Sequence, residues 1–272
     1  MKTYFHRVAE QTPTMFWINN PTRRQADMAI AEGALGCTNN PSYTQKMIDH
    51  PEESAYALKL LDEAIRETET DSQAAIIFQQ KMVKPIAEKF MPMFEKSQGE
   101  HGYVSIQGDP INDEDAEVIY KESLENRTVG KNICCKIPVT PPGIAAMQEL
   151  VPLDVPLNST EIFAINQMVT ICETYEKISM KSGKKPKFYM SHIAGIYDDY
   201  LQNRTAVRFA YKGEIIPNVE MKFAHDACLG EKSAMGFGCV EVRETLSKTS
   251  SSNTLRAGND VESTKGAKDK AD

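Results

Sequence analysis

No C-x-x-C pair occurs in this chain, and its six cysteines, Cys37, Cys134, Cys135, Cys172, Cys228 and Cys239, are scattered. Thiols without metal-ligand spacing, three of them in or beside apolar runs, point to buried, reduced side chains rather than a disulfide framework or a metal centre. No apolar stretch approaches the length of a membrane span, and residues 1–6 lack the apolar segment of a secretory leader. A cytoplasmic protein with no membrane partner is therefore expected. Positive charge is short as well: the formal net charge is -7 and the pI about 5.4, with no basic cluster ahead of the tail. That balance argues against nucleic acid as a partner. What is present is ordinary globular material, 272 residues with 41% hydrophobic and 25% charged content, enough for one large α/β domain.

Strand-like runs alternate with helical spacing. Residues 14–19 read as a buried strand, Asn20-Pro21 breaks it, and residues 22–32 follow with helical periodicity. Residues 33–37 form a second strand running into Thr38-Asn-Asn-Pro-Ser42, whose small polar residues and proline continue neither regular structure. Residues 51–96 are helical, with one apolar stripe through Ala57, Leu58, Leu61, Ala64 and Ile65 and another from Ile76 to Met91. Residues 103–107, 133–137, 155–160 and 187–191 read as strands three to six, with helices at 113–125, after Gly143 and at 161–179. This alternation predicts a parallel sheet, and short strands each followed by turn signals suit a (β/α)8 TIM barrel. Residues 218–225 and 235–242 are the candidates for strands seven and eight, though about ten residues between them is short for a parallel crossover. The barrel is expected to occupy residues 1–246, and 247–272, poor in large apolar residues, a disordered polar tail.

The fourth strand organises the chain. Residues 133–137 are apolar except for Lys136, which sits near the strand's C-terminal end before Pro138 and a loop of Thr, Pro and Gly; helical spacing resumes through Ile144, Met147 and Leu150. That edge of an α/β sheet is where chemistry is built. A desolvated amine there loses affinity for its proton and can attack a carbonyl to form a Schiff base. A lysine snorkelling out of the strand to pair with an acid fits the position equally.

Lys136-Ile-Pro-Val-Thr140, with Gly143-Ile-Ala-Ala-Met147 behind it, resembles the Lys-[Val/Ile]-Pro-x-Thr-x-x-Gly-[Ile/Leu] segment of transaldolases and fructose-6-phosphate aldolases. Thr38 to Ser42 is similar to the Thr-x-Asn-Pro-Ser/Thr signature after strand two of that family, and Tyr103-Val-Ser-Ile-Gln107 to its third strand. The resemblance covers roughly residues 12–200. It implies Lys136 as Schiff-base nucleophile, Gln107 and Thr160 as the pair that positions a catalytic water, and Asn40, Asn158, Ser191 and Thr38 as substrate-binding residues. It implies no cofactor.

Each residue also has a plainer reading. Asn40 suits a turn, Gln107 a strand-end hydrogen bond, Ser191 a helix cap, and His192 a local hydrogen-bonding role. Two departures stand out. Asn19 occupies the place of the family's catalytic aspartate at the end of strand one, and an amide cannot take a proton from a hydroxyl. Asp109, Asp198 or Asp199 would substitute only if the fold brings one close. Ile196 stands where transaldolases carry a phosphate-binding arginine. Two functions are compatible with this pattern: a class I, metal-independent aldolase or transferase of carbohydrate metabolism acting on a ketose through Lys136, or a catalytically silent barrel that binds a sugar or a protein partner. The substrate expected is a sugar or sugar phosphate, with room for a homo-oligomer.

Overall fold

The computed structural model describes residues 2–193 and the backbone of two short strands at 210–211 and 214–215. After α1 (Tyr4–Gln11) come β1 (Trp17–Asn19), α2 (Arg23–Glu32), β2 (Gly36–Thr38), α3 (Tyr43–Asp49), α4 (Ser54–Glu67) and α5 (Asp71–Lys96). They are followed by β3 (Tyr103–Gln107), α6 (Ala116–Arg127), β4 (Ile133–Pro138), α7 (Pro141–Leu150), β5 (Leu157–Ile162), α8 (Ile165–Ser182) and β6 (Phe188–His192). Strands β1 to β6 form one parallel sheet in chain order, with a helix between each pair of neighbours. Sequential parallel order with intervening helices is the (β/α)8 TIM-barrel pattern. The remaining pair, β7 (Ala210–Tyr211) and β8 (Glu214–Ile215), is antiparallel and separate from that sheet. The expected seventh and eighth strands at 218–225 and 235–242, the tail from 247, and Ile196, Asp198, Asp199, Cys228 and Cys239 lie outside the described residues.

The sheet curls. Laid flat, β1 and β6 would stand about 24 Å apart, five strand spacings of about 4.8 Å. Instead the rings of Trp17 on β1 and Tyr189 on β6 have centroids 4.8 Å apart, and Tyr103 on β3 lies 5.9 Å from Tyr189. With Cys134 these three form a buried apolar cluster on the concave face. Gly36 makes room for it, since a Cβ there would lie 2.4 Å from the Trp17 ring.

On the opposite face the strands pack against helices. Cys135, Ile137, Leu157 and Ile162 share a core with Met147 and Leu150 of α7 and Ile171 and Tyr175 of α8. Cys37, Val104, Ile106 and Ile133 share another with Ala26, Ala57, Leu60, Met82, Ile86 and Phe90 from α2, α4 and α5. Cys37, Cys134 and Cys135 are buried thiols as expected, and Cys172 is half-buried. Asn132, fully buried just before β4, donates from Nδ2 to the carbonyls of Ala87 and Gly102, each at 2.9 Å, tying the strand to α5 and to the start of β3.

Several boundaries differ from the sequence reading. The α4 stripe is turned: Ala57, Leu60 and Ala64 are buried, while Leu58 and Ile65 are 47% and 55% exposed. Ser42 leads directly into α3, whose Tyr43 and Met47 are buried, and α1 precedes the first strand, where the sequence reading has no element. Glu161 and Ile162, expected to open a helix, belong to β5. The helix begins at Ile165, where Gln167 Oε1 accepts the backbone N–H groups of Phe163 and Ala164 at 2.9 and 3.1 Å. That backbone capping delays the helix by one turn.

The segment after Lys136 now has a physical account. Thr140 is the N-cap of α7, its Oγ1 accepting the Gly143 N–H at 3.3 Å, with Pro141 and Pro142 in the first turn, where their missing N–H groups cost nothing. A Cβ on Gly143 would lie 1.9 Å from the Pro138 carbonyl oxygen. Because that obstacle is backbone rather than a flexible side chain, Gly143→Ala should destabilise the protein by about 1–3 kcal/mol, read as a lower urea midpoint with an unchanged m-value.

Candidate active site

Strand alternation divides the residues of each strand between the two faces. Trp17, Tyr103, Cys134 and Tyr189 mark the concave side, so two residues further along the same strands Asn19, Ser105, Lys136 and Ser191 share it. Register extends the set. Asn19 pairs with Thr38, and Thr38 with Ser105. Gln107 pairs with Lys136, and Lys136 with Asn158, while Pro138 pairs with Thr160. Neighbours in such a row are about 4.8 Å apart. Half-buried Lys136 is therefore flanked by two neutral amides, Gln107 and Asn158, both buried.

Hydrogen bonds hold the row. Ser191 Oγ donates to Asn158 Oδ1 at 2.9 Å, which fixes the orientation of that amide. Ser105 Oγ donates to Thr38 Oγ1 at 2.8 Å in a fully buried contact. Gln107 Nε2 donates to Glu161 Oε1 at 3.1 Å. Of the expected site residues, Asn19, Thr38, Gln107, Lys136, Asn158, Thr160 and Ser191 thus lie on one concave face. Asn40 lies just beyond it, in the loop after β2. Its Oδ1 accepts from Asn20 Nδ2 at 2.9 Å and from Ser42 Oγ at 2.7 Å, and its own N–H donates to Asn20 Oδ1 at 3.1 Å. Asn20 reaches that pairing from a left-handed backbone (φ 47°), which asparagine tolerates better than most residues. The Asn20–Asn40 clamp thus closes the β1 and β2 ends, and any contact of Asn40 with a ligand falls to its Nδ2.

Beside Lys136 the ends of β3 and β4 border a small cleft whose interior volume is about 10 Å³, about the room one water needs. Gln107, Lys136 and Pro138 line it together with Asp109, Asp113 and Glu122. Asp109 is no stand-in for a base at Asn19: its carboxylate accepts from the Ile111 N–H at 2.9 Å, Asn112 Nδ2 at 2.8 Å and Ser72 Oγ at 3.0 Å. Glu122 is buried and accepts the Asp109 N–H at 2.8 Å. Burial raises its pKa, with Asp109 and Glu125 adding to the shift and the Asp109 N–H opposing it. A residue missed in the sequence is Glu161, half-buried and bonded to Gln107. Its pKa is also raised, by burial and then by Asp113, against the pull of Gln107 and Lys136. The sequence carries no clear signal for it: the odd spacing between Leu157 and Ile162 reads as a bulge only once both are seen on one side of the strand.

The sequence model described as Transaldolase/Fructose-6-phosphate aldolase matches residues 16–225. The chain belongs to that family. Similar proteins include Transaldolase 1 of Streptomyces avermitilis, 27% identical over 58% of this chain and 43% of its own length. The Transaldolase of Thiobacillus denitrificans is 28% identical over 58% of this chain and 46% of its own length. The Transaldolase of Trichodesmium erythraeum is 24% identical over 70% of this chain and 55% of its own length. The chain therefore spans about half the length of these relatives. No helix among the described residues is long and apolar enough to cross a membrane.

The raised pKa of Glu122 sets a pH dependence. The folded state holds this proton more tightly than the unfolded chain, whose value is about 4.5. Its stabilisation is complete below that pH and is lost as pH rises through the higher folded value. In Glu122→Gln, which keeps an oxygen for the Asp109 N–H, the urea midpoint should fall less between pH 4 and 7 than in the native protein.

Proposed function

We propose that the protein is a transaldolase-type class I aldolase or transferase that forms a Schiff base between Lys136 and a ketose. The observation that carries this reading is the register at the C-terminal edge of the sheet: Lys136 stands between Gln107 and Asn158 on the concave face, beside the small cleft at the ends of β3 and β4. An amine held between neutral amides keeps its nucleophilic nitrogen beside hydrogen-bond partners for a sugar's hydroxyls. In this reading Asn158, Ser191, Thr38 and Asn40 bind those hydroxyls, and Gln107 and Thr160 hold a water. The pocket wall carries Asp109, Asp113 and Glu122 against the single cation Lys136. That balance favours an uncharged part of the substrate at this end over a phosphate.

Borohydride trapping with dihydroxyacetone and with fructose 6-phosphate tests the reading. A reduced adduct should appear on Lys136 by intact mass and peptide mapping, and be absent from Lys136→Met. No adduct on Lys136 with either ketose would count against it.

A second reading, a silent barrel that binds a sugar or a protein partner, is favoured by Asn19, an amide at the end of β1 where the family resemblance implies a carboxylate. If that amide blocks carbon–carbon cleavage, Asn19→Asp should raise the cleavage rate by about 100-fold or more. An unchanged rate on a cleaving native enzyme would mean that the proton is moved by another group.

A further inference from the structure

The reading of Lys136 leaves its proton transfers without an obvious ionisable group, because Asn19 and Gln107 are both amides. Among the described residues, one carboxylate is hydrogen-bonded into the same row. On β5, Ser159 pairs with Met190, and the next pairing is Ile162 with His192, so three residues advance on β5 against two on β6. This is a β-bulge, and Glu161 within it has a left-handed backbone (φ 63°), uncommon for a residue with a side chain. In an unbroken pleat Glu161 would share the helix side with Leu157 and Ser159. The extra residue gives that side to Ile162, which is fully buried in the core with Leu157, and turns Glu161 to the concave face.

Its destination is shown by its hydrogen bond. Glu161 on β5 accepts from Gln107 on β3, and the strand between them is β4. The contact therefore passes over the end of β4, the strand that carries Lys136. Strained backbone retained beside a candidate nucleophile is a recurrent mark of a functional position.

We propose that Glu161 is the acid–base carboxylate for the imine chemistry of Lys136, an inference that rests on the Schiff-base reading above. The amine adds to the ketone carbon, forming the C–N bond, and its proton passes to the oxygen, giving the carbinolamine. The Glu161 carboxyl then protonates the hydroxyl, the C–O bond breaks and water leaves. The nitrogen lone pair forms the C=N bond, leaving an iminium ion beside the Glu161 carboxylate. Hydrolysis runs the same steps backward, with Glu161 taking a proton from the attacking water. Asp109, Asp113 and Glu122 line the adjoining pocket, and burial, then Asp113, makes Glu161 hold its proton more tightly, against the pull of the Gln107 amide and Lys136.

The alternative is that Glu161 only positions Gln107. Glu161→Gln separates the two, because it keeps an oxygen for the Gln107 amide and removes the proton. The readout is the rate of borohydride-trapped adduct on Lys136 with dihydroxyacetone and fructose 6-phosphate between pH 5 and 9. Glu161→Gln should slow trapping by about 100-fold or more and lose the pH limb set by the carboxylate. The exchange variant Gln107→Glu/Glu161→Gln reverses donor and acceptor and returns a carboxylate to the row, so it should trap within about tenfold of native. It also carries the test if the single variant does not fold. Native rate and native pH profile in Glu161→Gln, or a folded exchange variant as slow as that single variant, would overturn the assignment to Glu161 alone. A native protein that forms no adduct would overturn the Schiff-base reading and this inference together.

Discussion

The register of β3, β4 and β5 is the constraint on which the site depends. A parallel ladder leaves no freedom in which residues stand side by side, and a slip of one residue would turn Lys136 into the helix-packed core and bring Cys135 or Ile137 inward. That error would leave a cation buried among Met147, Leu150 and Ile171, at a cost far above the few kcal/mol separating folded from unfolded chains. The apolar residues that alternate with Lys136 therefore define the site as firmly as the polar ones do.

The concave face is divided along the strands. Near their N-terminal ends it is filled by Trp17, Tyr103, Cys134 and Tyr189; toward the C-terminal ends the side chains become amides and hydroxyls. Aromatic packing below removes water from the middle of the curled sheet, while the polar groups above satisfy one another across strands, as Ser191 does with Asn158 and Ser105 with Thr38. A buried polar row is tolerable only when such partners are provided. It is also a row that a polyhydroxylated molecule can join by exchanging partners.

Much of this was legible in the sequence because it is periodic or local. The strand run ending at Lys136, the breaker-rich loop at Thr38 to Ser42 and the alternation of elements follow from composition and spacing; the eight expected site residues came from the family resemblance, and the register of the sheet brings seven of them onto one face. The exceptions have physical causes. Leu58 and Ile65 are as apolar as Leu60, so only packing against α5 decides which side of α4 is buried. Glu161 looked like the first residue of a helix because acidic residues favour helix N-termini, and a bulge leaves no fixed pattern in a single chain. Asn40 was placed in the right loop, but its pairing with Asn20 depends on a left-handed residue that no periodicity reveals.

The Trp17–Tyr189 contact has a spectroscopic consequence. Trp17 is the chain's one tryptophan, and it joins the first strand of the sheet to the sixth across the concave face. Its emission is therefore a built-in gauge of whether the curl is closed. Transfer of excitation from Tyr189 weakens when the two ends of the sheet part, whereas helices that loosen on the outside would leave that pair in place. One intrinsic chromophore thus separates loss of the outer layer from opening of the wall that carries the lysine.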